Sequence, residues 1–421
     1  MTPRRLELLS SLATPHTTKI LFWVFDGVGG LPHPSSGKTA LEAARLPHLD
    51  AFASASSCGL HEPCGPGVSV GSGLGHLALF GYPTDDLQVG RGVLEVLGSD
   101  EAFEGGARVE VPSLRDEDVA WRCNFARLLG DDGPDALVED RRANDLTRQR
   151  CAQLCEQLSA TLRLPDGVRM WLCPGREHRF SMVLRGEGLS PEVTDADPLR
   201  SGRAQPAARA RAQGAQATAD LLNDLIAQAR GMLRATSDAD TILVRGAGRA
   251  RAPRSLESLY HLRCGAFAQY PMYKGVARLV GMDVLPDQDA PLAQRLDTLE
   301  SSMHAYDFCF FHTKEPDALG HKGDFEAKVA FLEHADAQFA RVAQMGFDVV
   351  VVTGDHCTPA VFGEHSWHPV PTMLWSEHIL AGDVQAYTER ACVHGTLGRR
   401  SAQDLMALAL AEARRLNRHG V

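Results

Sequence analysis

Four short runs of uninterrupted apolar residues punctuate the chain: Ile20–Phe25 (ILFWVF), Thr241–Val244 (TILV), Phe308–Phe311 (FCFF) and Val349–Val352 (VVVV). Each is too short for a typical helix and rich in β-branched or aromatic side chains. None alternates with polar positions, which is the pattern of a strand covered on both faces. Between the runs, apolar residues recur at helical spacing, as over 217–233 and 324–344. Strands alternating with helices predict an α/β fold, a mainly parallel sheet flanked by helices. From about 99 to 199 the pattern changes. Charged, turn-rich segments (GDDGPD, RLPDG, RGEGLSPE) separate short alternating pieces, Val119–Phe125 and Val168–Cys173. This predicts a smaller α+β domain, 99–199, inserted into a discontinuous core of 1–98 and 200–421. The Ala/Arg/Gln-rich stretch Ser201–Ala219 leads back into that core.

The apolar runs end on polar residues with chemical potential. ILFWVF meets Asp26-Gly27, TILV meets Arg245-Gly-Ala-Gly248, FCFF meets His312-Thr-Lys314 and then Asp317, and VVVV meets Thr-Gly-Asp355-His356. Ligands of open α/β sheets bind beyond the carboxyl ends of the strands, so these groups are expected at one edge.

Length and composition agree with this picture. The 421 residues suffice for two domains, and 44% hydrophobic with 23% charged residues is an ordinary globular balance. A formal net charge of -10 argues against non-specific nucleic-acid binding. The ten cysteines form no C-x-x-C pair, and their scatter suits reduced thiols. No apolar run reaches membrane-spanning length, and Glu7 and the serines interrupt the N-terminal leucines, so no signal peptide is expected and the reading is cytoplasmic.

Five segments carry candidate chemistry. Asp317 and His321, four apart, share one face of a helical turn, and divalent metals accept that pair. Asp355-His356 places two further ligand types at a strand end. The segment Glu364-His365-Ser-Trp-His368-Pro offers an imidazole to complete a site, from His365 or His368. Asp26 follows the first strand. Finally, the glycine-rich Gly65-Pro-Gly-Val-Ser-Val-Gly-Ser72-Gly-Leu-Gly-His76 enters an apolar helix. Backbone N–H groups and the helix dipole favour anions at such a junction, and metal coordination would make Ser72 a nucleophile. Taken singly, each has a plainer role as turn, cap or surface residue. Together they supply three carboxylates, imidazoles and a serine, enough for two divalent cations. The sequence SSGKT looks like the end of an ATP-binding loop, but the required first glycine is Pro32, so that motif fails.

These blocks, with GKTALEAARLPHLDAFA, GRGVLEVLG, WRCNFA, KEPDALGHKGDFEAKVAFLEHAD and VVVTGDHCTPAVFGEHSWHPVP in order along the chain, resemble the cofactor-independent phosphoglycerate mutases, in their archaeal-type branch within the alkaline-phosphatase superfamily. The resemblance implies an alkaline-phosphatase-like core with an inserted substrate-binding domain. It implies one divalent metal on Asp26, Ser72, Asp355 and His356 and a second on Asp317, His321 and His365. Manganese is the first expectation; zinc, magnesium and cobalt suit the same donors. Ser72 would carry the phosphoryl group between the two hydroxyls of a small phosphorylated carboxylate, 3- or 2-phosphoglycerate. Arg122, Asn124, Asp140, Arg141, His178 and Arg179 from the insertion, with Arg91, Arg245 and Lys274 from the core side, would hold phosphate and carboxylate. Two departures bear on the substrate: Gly73 stands where the family has an acidic residue after the serine, and Trp367 and His368 stand where small or polar residues are expected. A related phosphotransferase or phosphatase acting on another small metabolite, such as a homoserine kinase of the same architecture, is the alternative. Neither a nucleic-acid nor a membrane partner is implied.

Overall fold

The structure is a computed structural model that describes residues 2–84, 89–130, 136–143, 146–236, 238–249, 252–286 and 289–420. The chain divides into two compact units. The first comprises Met1–Leu87, Pro253–Tyr270 and Val280–Val421; the second comprises Gln88–Ala252 and Pro271–Leu279.

The first unit is built on an eight-stranded sheet in the order Asp283–Val284, Cys264–Phe267, Phe308–Thr313, Ile20–Phe25, Val349–Thr353, Val370–Ser376, Ser57–Glu62, Gly398–Ser401. The first five strands run parallel, as the continuous apolar runs predict. Every residue of the central strand Ile20–Phe25 is buried, because helices cover both faces. Trp23 stacks on Phe25 at 4.9 Å and meets Phe311 edge-on at 5.1 Å, while its indole N–H donates to the Thr313 hydroxyl at 3.0 Å. The large rings thus fill the layer, and the one polar atom in the Trp23 side chain finds a partner.

Register decides what meets at the sheet edge. Val24 lies opposite both His312 and Thr353. Continued past the strand ends, that alignment sets Asp26 beside Lys314 and Asp355.

The helix Phe325–Val342 packs beneath this edge. Its buried stripe is Phe325, Lys328, Leu332, Ala335, Asp336, Phe339 and Val342, the i, i+3, i+4 spacing of a core-facing helix. Two members are charged. Asp336 accepts the Leu49 and His48 amides at 2.7 and 3.1 Å and so satisfies the start of the helix Pro47–Ser54, which has no side-chain cap of its own. The other, Lys328, is buried as well.

His61, in the strand Ser57–Glu62, is fully buried with Nε2 2.9 Å from the Gly354 carbonyl. Burial pushes its imidazole from 6.5 down to about 4. Between those values the unfolded chain binds a proton that the folded chain refuses, so stability is lost as pH falls through this window, by roughly 3 kcal/mol. His61→Gln, followed by urea unfolding from pH 7 to 4, should show a shallower acid loss than the parent; an unchanged slope would refute the assignment.

The second unit has its own sheet, Ala107–Val109, Ala102–Glu104, Arg169–Pro174, Arg179–Arg185, Val119–Leu129, Leu137–Asp140, Arg203–Ala204, with Thr241–Arg249 paired to Val119–Leu129. Two sequence expectations change here. The TILV run is not a parallel strand of the first sheet: Ile242 pairs with Phe125 and Val244 with Cys123, antiparallel. Being buried on both sides, it carries no alternation to reveal its direction. The unit is also wider than 99–199. The helix Gln216–Leu233 buries Leu222, Leu225, Ala229 and Leu233 in one core with Trp121, Phe125, Leu154, Leu158, Ile242 and Val244. Apolar contact rather than turn density sets the boundary, so Arg91, Arg245 and Lys274, expected on the core side, belong to this unit.

Candidate metal centre and active site

The cluster lies wholly within the first unit, at the carboxyl ends of its parallel strands. Asp26 and Asp355 are fully buried, as is His356; Asp317 and Ser72 are nearly so. Two groups of donor atoms converge, Asp26 with Asp355 and His356, and Asp317 with His356 and His365, each within 4.8 Å.

Ser72 is the first residue of the helix Ser72–Leu79. Gly71 occupies the N-cap, so Ser72 is not the residue that caps this helix. Instead its Oγ lies 3.0 Å from His356 Nε2. Gly75, one turn on, lets the helix approach: a β-carbon there would sit 2.7 Å from the Asp355 carbonyl oxygen. Gly27 has φ +62°, and a β-carbon on it would press on the Thr358 hydroxyl and Asp317, so the tight turn after Asp26 needs glycine.

Three carboxylates share this dry space, and their protonation follows from their neighbours. Burial pushes Asp26 up, but Lys314, His312 and His356 outweigh it and hold the acid well below its usual range. Burial and the charge of Asp26 raise Asp317, yet His365, Lys314 and His356 bring it below the usual carboxylate value. Asp355 is raised, first by burial and then by Asp26 and Asp317. His356 is pushed down to about 3 by burial, so it is a neutral imidazole. Burial opposes protonation of His365 too, but Asp317 overrides it and raises that ring.

The donors fit divalent cations. Asp26 Oδ1 and Asp355 Oδ2 are buried without a hydrogen-bond partner, yet lie 3.5 and 3.2 Å from His356 Nε2. Buried carboxylate oxygens facing a neutral imidazole nitrogen, with no proton donor aligned to them, are metal-ligand chemistry. At the other group, His365 Nε2 is 3.3 Å and His321 Nε2 3.5 Å from Asp317 Oδ1, and the two rings lie 4.9 Å apart. His365 Nδ1 is held at 2.8 Å by the Val70 carbonyl and His321 Nδ1 at 2.9 Å by that of Gly363, which leaves each Nε2 facing inward. His368 instead pairs with the Ser366 hydroxyl at 3.0 Å and stacks on Trp367.

Several neighbours have no assigned role in the sequence reading. Lys314 pairs with Asp317 and lies 3.2 Å from Asp26 Oδ2, bringing positive charge between two carboxylates. His312 Nε2 is 3.1 Å from the same Asp26 oxygen, His76 Nδ1 is 2.7 Å from the Ser72 carbonyl oxygen, and Thr358 donates to Asp317 at 2.6 Å. The available signal was placement: Lys314 is three residues before Asp317, and His76 four after Ser72.

The expected substrate residues gather in the second unit. Arg122, Asn124 and His178 are buried, and Arg122 Nε, Arg179 Nε and Asn124 Oδ1 lack hydrogen-bond partners, while Arg245 Nε lies 3.5 Å from Asp197 Oδ2. Burial, then the charges of Arg91, Arg245 and Arg179, lower Arg122 to about 8 against one opposing carboxylate, Glu95. Burial and Arg179 likewise press His178 down to about 4. Guanidinium groups crowded in this way match the paired oxygens of phosphate and carboxylate. Others are already engaged: Arg141 forms a two-pronged pair with Asp197 at 2.9 and 2.6 Å, Asp140 accepts the Arg142 amide at 2.9 Å, and Lys274 lies 3.7 Å from Asp100.

Fold and site together define an α/β enzyme with a buried carboxylate–imidazole centre and a helix that begins on Ser72 at its sheet edge. Comparison with known proteins gives the family. The family model described as 2,3-bisphosphoglycerate-independent phosphoglycerate mutase matches residues 53–237. A probable 2,3-bisphosphoglycerate-independent phosphoglycerate mutase of a Thermotoga species is 39% identical over 414 residues, 98% of each chain. Its counterpart from Thermus thermophilus is 40% identical over 416 residues, again 98% of each. The fold is shared with the PH0037 protein of Pyrococcus horikoshii (TM-score 0.80, 23% identity, 97% of this chain and 100% of that one). It is shared also with the cofactor-independent phosphoglycerate mutase of Thermoplasma acidophilum (TM-score 0.65, 24% identity, 94% and 99%). The chain belongs to the 2,3-bisphosphoglycerate-independent phosphoglycerate mutase family.

Proposed function

We propose that this protein interconverts 3-phosphoglycerate and 2-phosphoglycerate through a phosphoserine at Ser72, with two divalent cations, manganese foremost. The observation that carries the reading is the placement of Ser72 Oγ 3.0 Å from His356 Nε2, beside buried Asp26 and Asp355. Asp26, Ser72, Asp355 and His356 would hold one cation, and Asp317, His321 and His365 the other. Bound cations supply Lewis acidity, which lowers the pKa of the serine hydroxyl and neutralises the phosphoryl oxygens.

The residues of the chain do the rest. Ser72 Oγ gives up its proton and forms a bond to phosphorus as the bond from phosphorus to the substrate oxygen breaks, and the freed glycerate oxygen takes up a proton in exchange. The adjacent hydroxyl then gives up its proton and bonds to phosphorus as the Ser72 Oγ–phosphorus bond breaks, and Oγ takes a proton back. No water is consumed, so burial of the cluster protects the intermediate from hydrolysis. Lys314 offsets the carboxylate charge that would repel an incoming phosphate. The arginines around Arg122 would bind the substrate anion.

The test is a coupled assay on 3-phosphoglycerate with the manganese-loaded protein, run beside homoserine plus ATP. Formation of 2-phosphoglycerate without added bisphosphoglycerate is the expected result. No conversion of 3-phosphoglycerate would refute the reading, and ADP release dependent on homoserine would replace it with a kinase.

A further inference from the structure

Lys328 carries an ammonium group into the floor of the catalytic unit. It is 1% exposed and lies in the core-facing stripe of the helix Phe325–Val342. Its Nζ donates to the Gly27 carbonyl at 2.8 Å and the Thr358 carbonyl at 3.0 Å. Burying a charge is costly, and an unbranched apolar side chain would occupy much the same space without that penalty. The two acceptors show what the charge accomplishes. Gly27 follows Asp26, and its amide donates to Asp355 Oδ1 at 3.1 Å. Thr358 lies two residues beyond His356; its amide meets the Gly27 carbonyl at 3.2 Å, and its hydroxyl fixes Asp317 Oδ1 at 2.6 Å. One ammonium therefore clasps the turns after two parallel strands, and through them all three buried carboxylates.

We infer that Lys328 is a positioning residue for the metal centre, holding the Gly27 and Thr358 turns at the separation that lets Asp26, Asp355 and Asp317 bind divalent cations. The inference rests on the metal-dependent reading above and extends it to a residue that touches neither cation nor substrate. Groups that orient metal ligands from behind typically change metal affinity roughly 10–100-fold when removed.

The test is Mn2+ titration of the metal-stripped full chain by calorimetry, beside thermal unfolding. Lys328→Met should weaken Mn2+ binding by roughly 10–100-fold. Leu332→Ala, one turn along the same buried stripe, should lower stability through lost packing but leave Mn2+ affinity within about twofold. Lys328→Gln, still able to donate to one carbonyl, should fall between parent and methionine variant, and decides the matter if the methionine variant does not fold. Unchanged Mn2+ affinity in a folded Lys328 variant overturns the role, as does an equal loss in Leu332→Ala. A parent protein that binds no Mn2+ overturns the metal reading itself, a distinguishable failure.

Discussion

Ser72→Ala is expected to lower phosphoglycerate interconversion on the order of 10⁴-fold or more, the scale on which covalent catalysis collapses when its nucleophile is removed. The fold should survive. Gly71, not Ser72, is the cap, and alanine is a good helix former at the first position of the helix Ser72–Leu79. Mn2+ should still bind, more weakly, because the carboxylates and imidazoles remain. Two measurements separate the possibilities. Acid-quenched parent protein incubated with substrate should carry phosphate on Ser72 by mass spectrometry, and the alanine variant should carry none. Substantial turnover by Ser72→Ala would rule out the covalent route, whatever its effect on metal binding.

The second large effect concerns the cations. Chelation should abolish activity, and added Mn2+ should restore it. Stability should move in the same direction: saturation at about a hundred times the dissociation constant adds about 2.7 kcal/mol, provided the unfolded chain binds no metal. The electrostatics of the cluster give the reason. Without a cation, burial and the charges of Asp26 and Asp317 make ionised Asp355 unfavourable. Its folded pKa then lies above the unfolded value, so this group costs stability as pH rises through the interval between the two values. A bound cation removes that cost. Asp355→Asn should therefore weaken Mn2+ binding severely and abolish turnover, while the metal-free variant is no less stable than the metal-free parent near neutral pH. Manganese-dependent activity that persists in Asp355→Asn would remove Asp355 from the ligand set.

Lys314 and Lys328 serve the same carboxylates in different ways. Lys314 reaches Asp26 and Asp317 directly from the cluster side, where it balances charge. Lys328 binds the backbone behind them. The first is suited to meet a phosphate; the second can act only on the shape of the site.

Much of this was legible in the sequence, for physical reasons that can be located. Runs such as ILFWVF and VVVV have no alternation because helices cover both faces of the central sheet, and a strand of that kind places its following residues at the ligand edge. Asp26 and Asp355-His356 were therefore visible as candidates, and Asp317 with His321 followed from helical spacing. Ser72 was ambiguous, since a serine entering a helix is as readily a cap as a nucleophile; that Gly71 takes the cap and that the hydroxyl lies toward His356 are matters of tertiary structure. The same holds for His365 against His368, two residues three apart in one loop, where the Val70 carbonyl holds one inward and Ser366 and Trp367 hold the other away.

What the sequence by itself determined were the local patterns: the class of fold, the strand ends and the residue types gathered there. Tertiary structure decided whatever depends on which surfaces meet. It assigned TILV to the second sheet, because a strand buried on both faces does not encode its partner, and it widened the second unit, because a shared core rather than turn content binds its helices. It also turned Lys328, one more charged residue on a helix in the sequence, into a clasp beneath three carboxylates, since its acceptors lie 301 and 30 residues away along the chain.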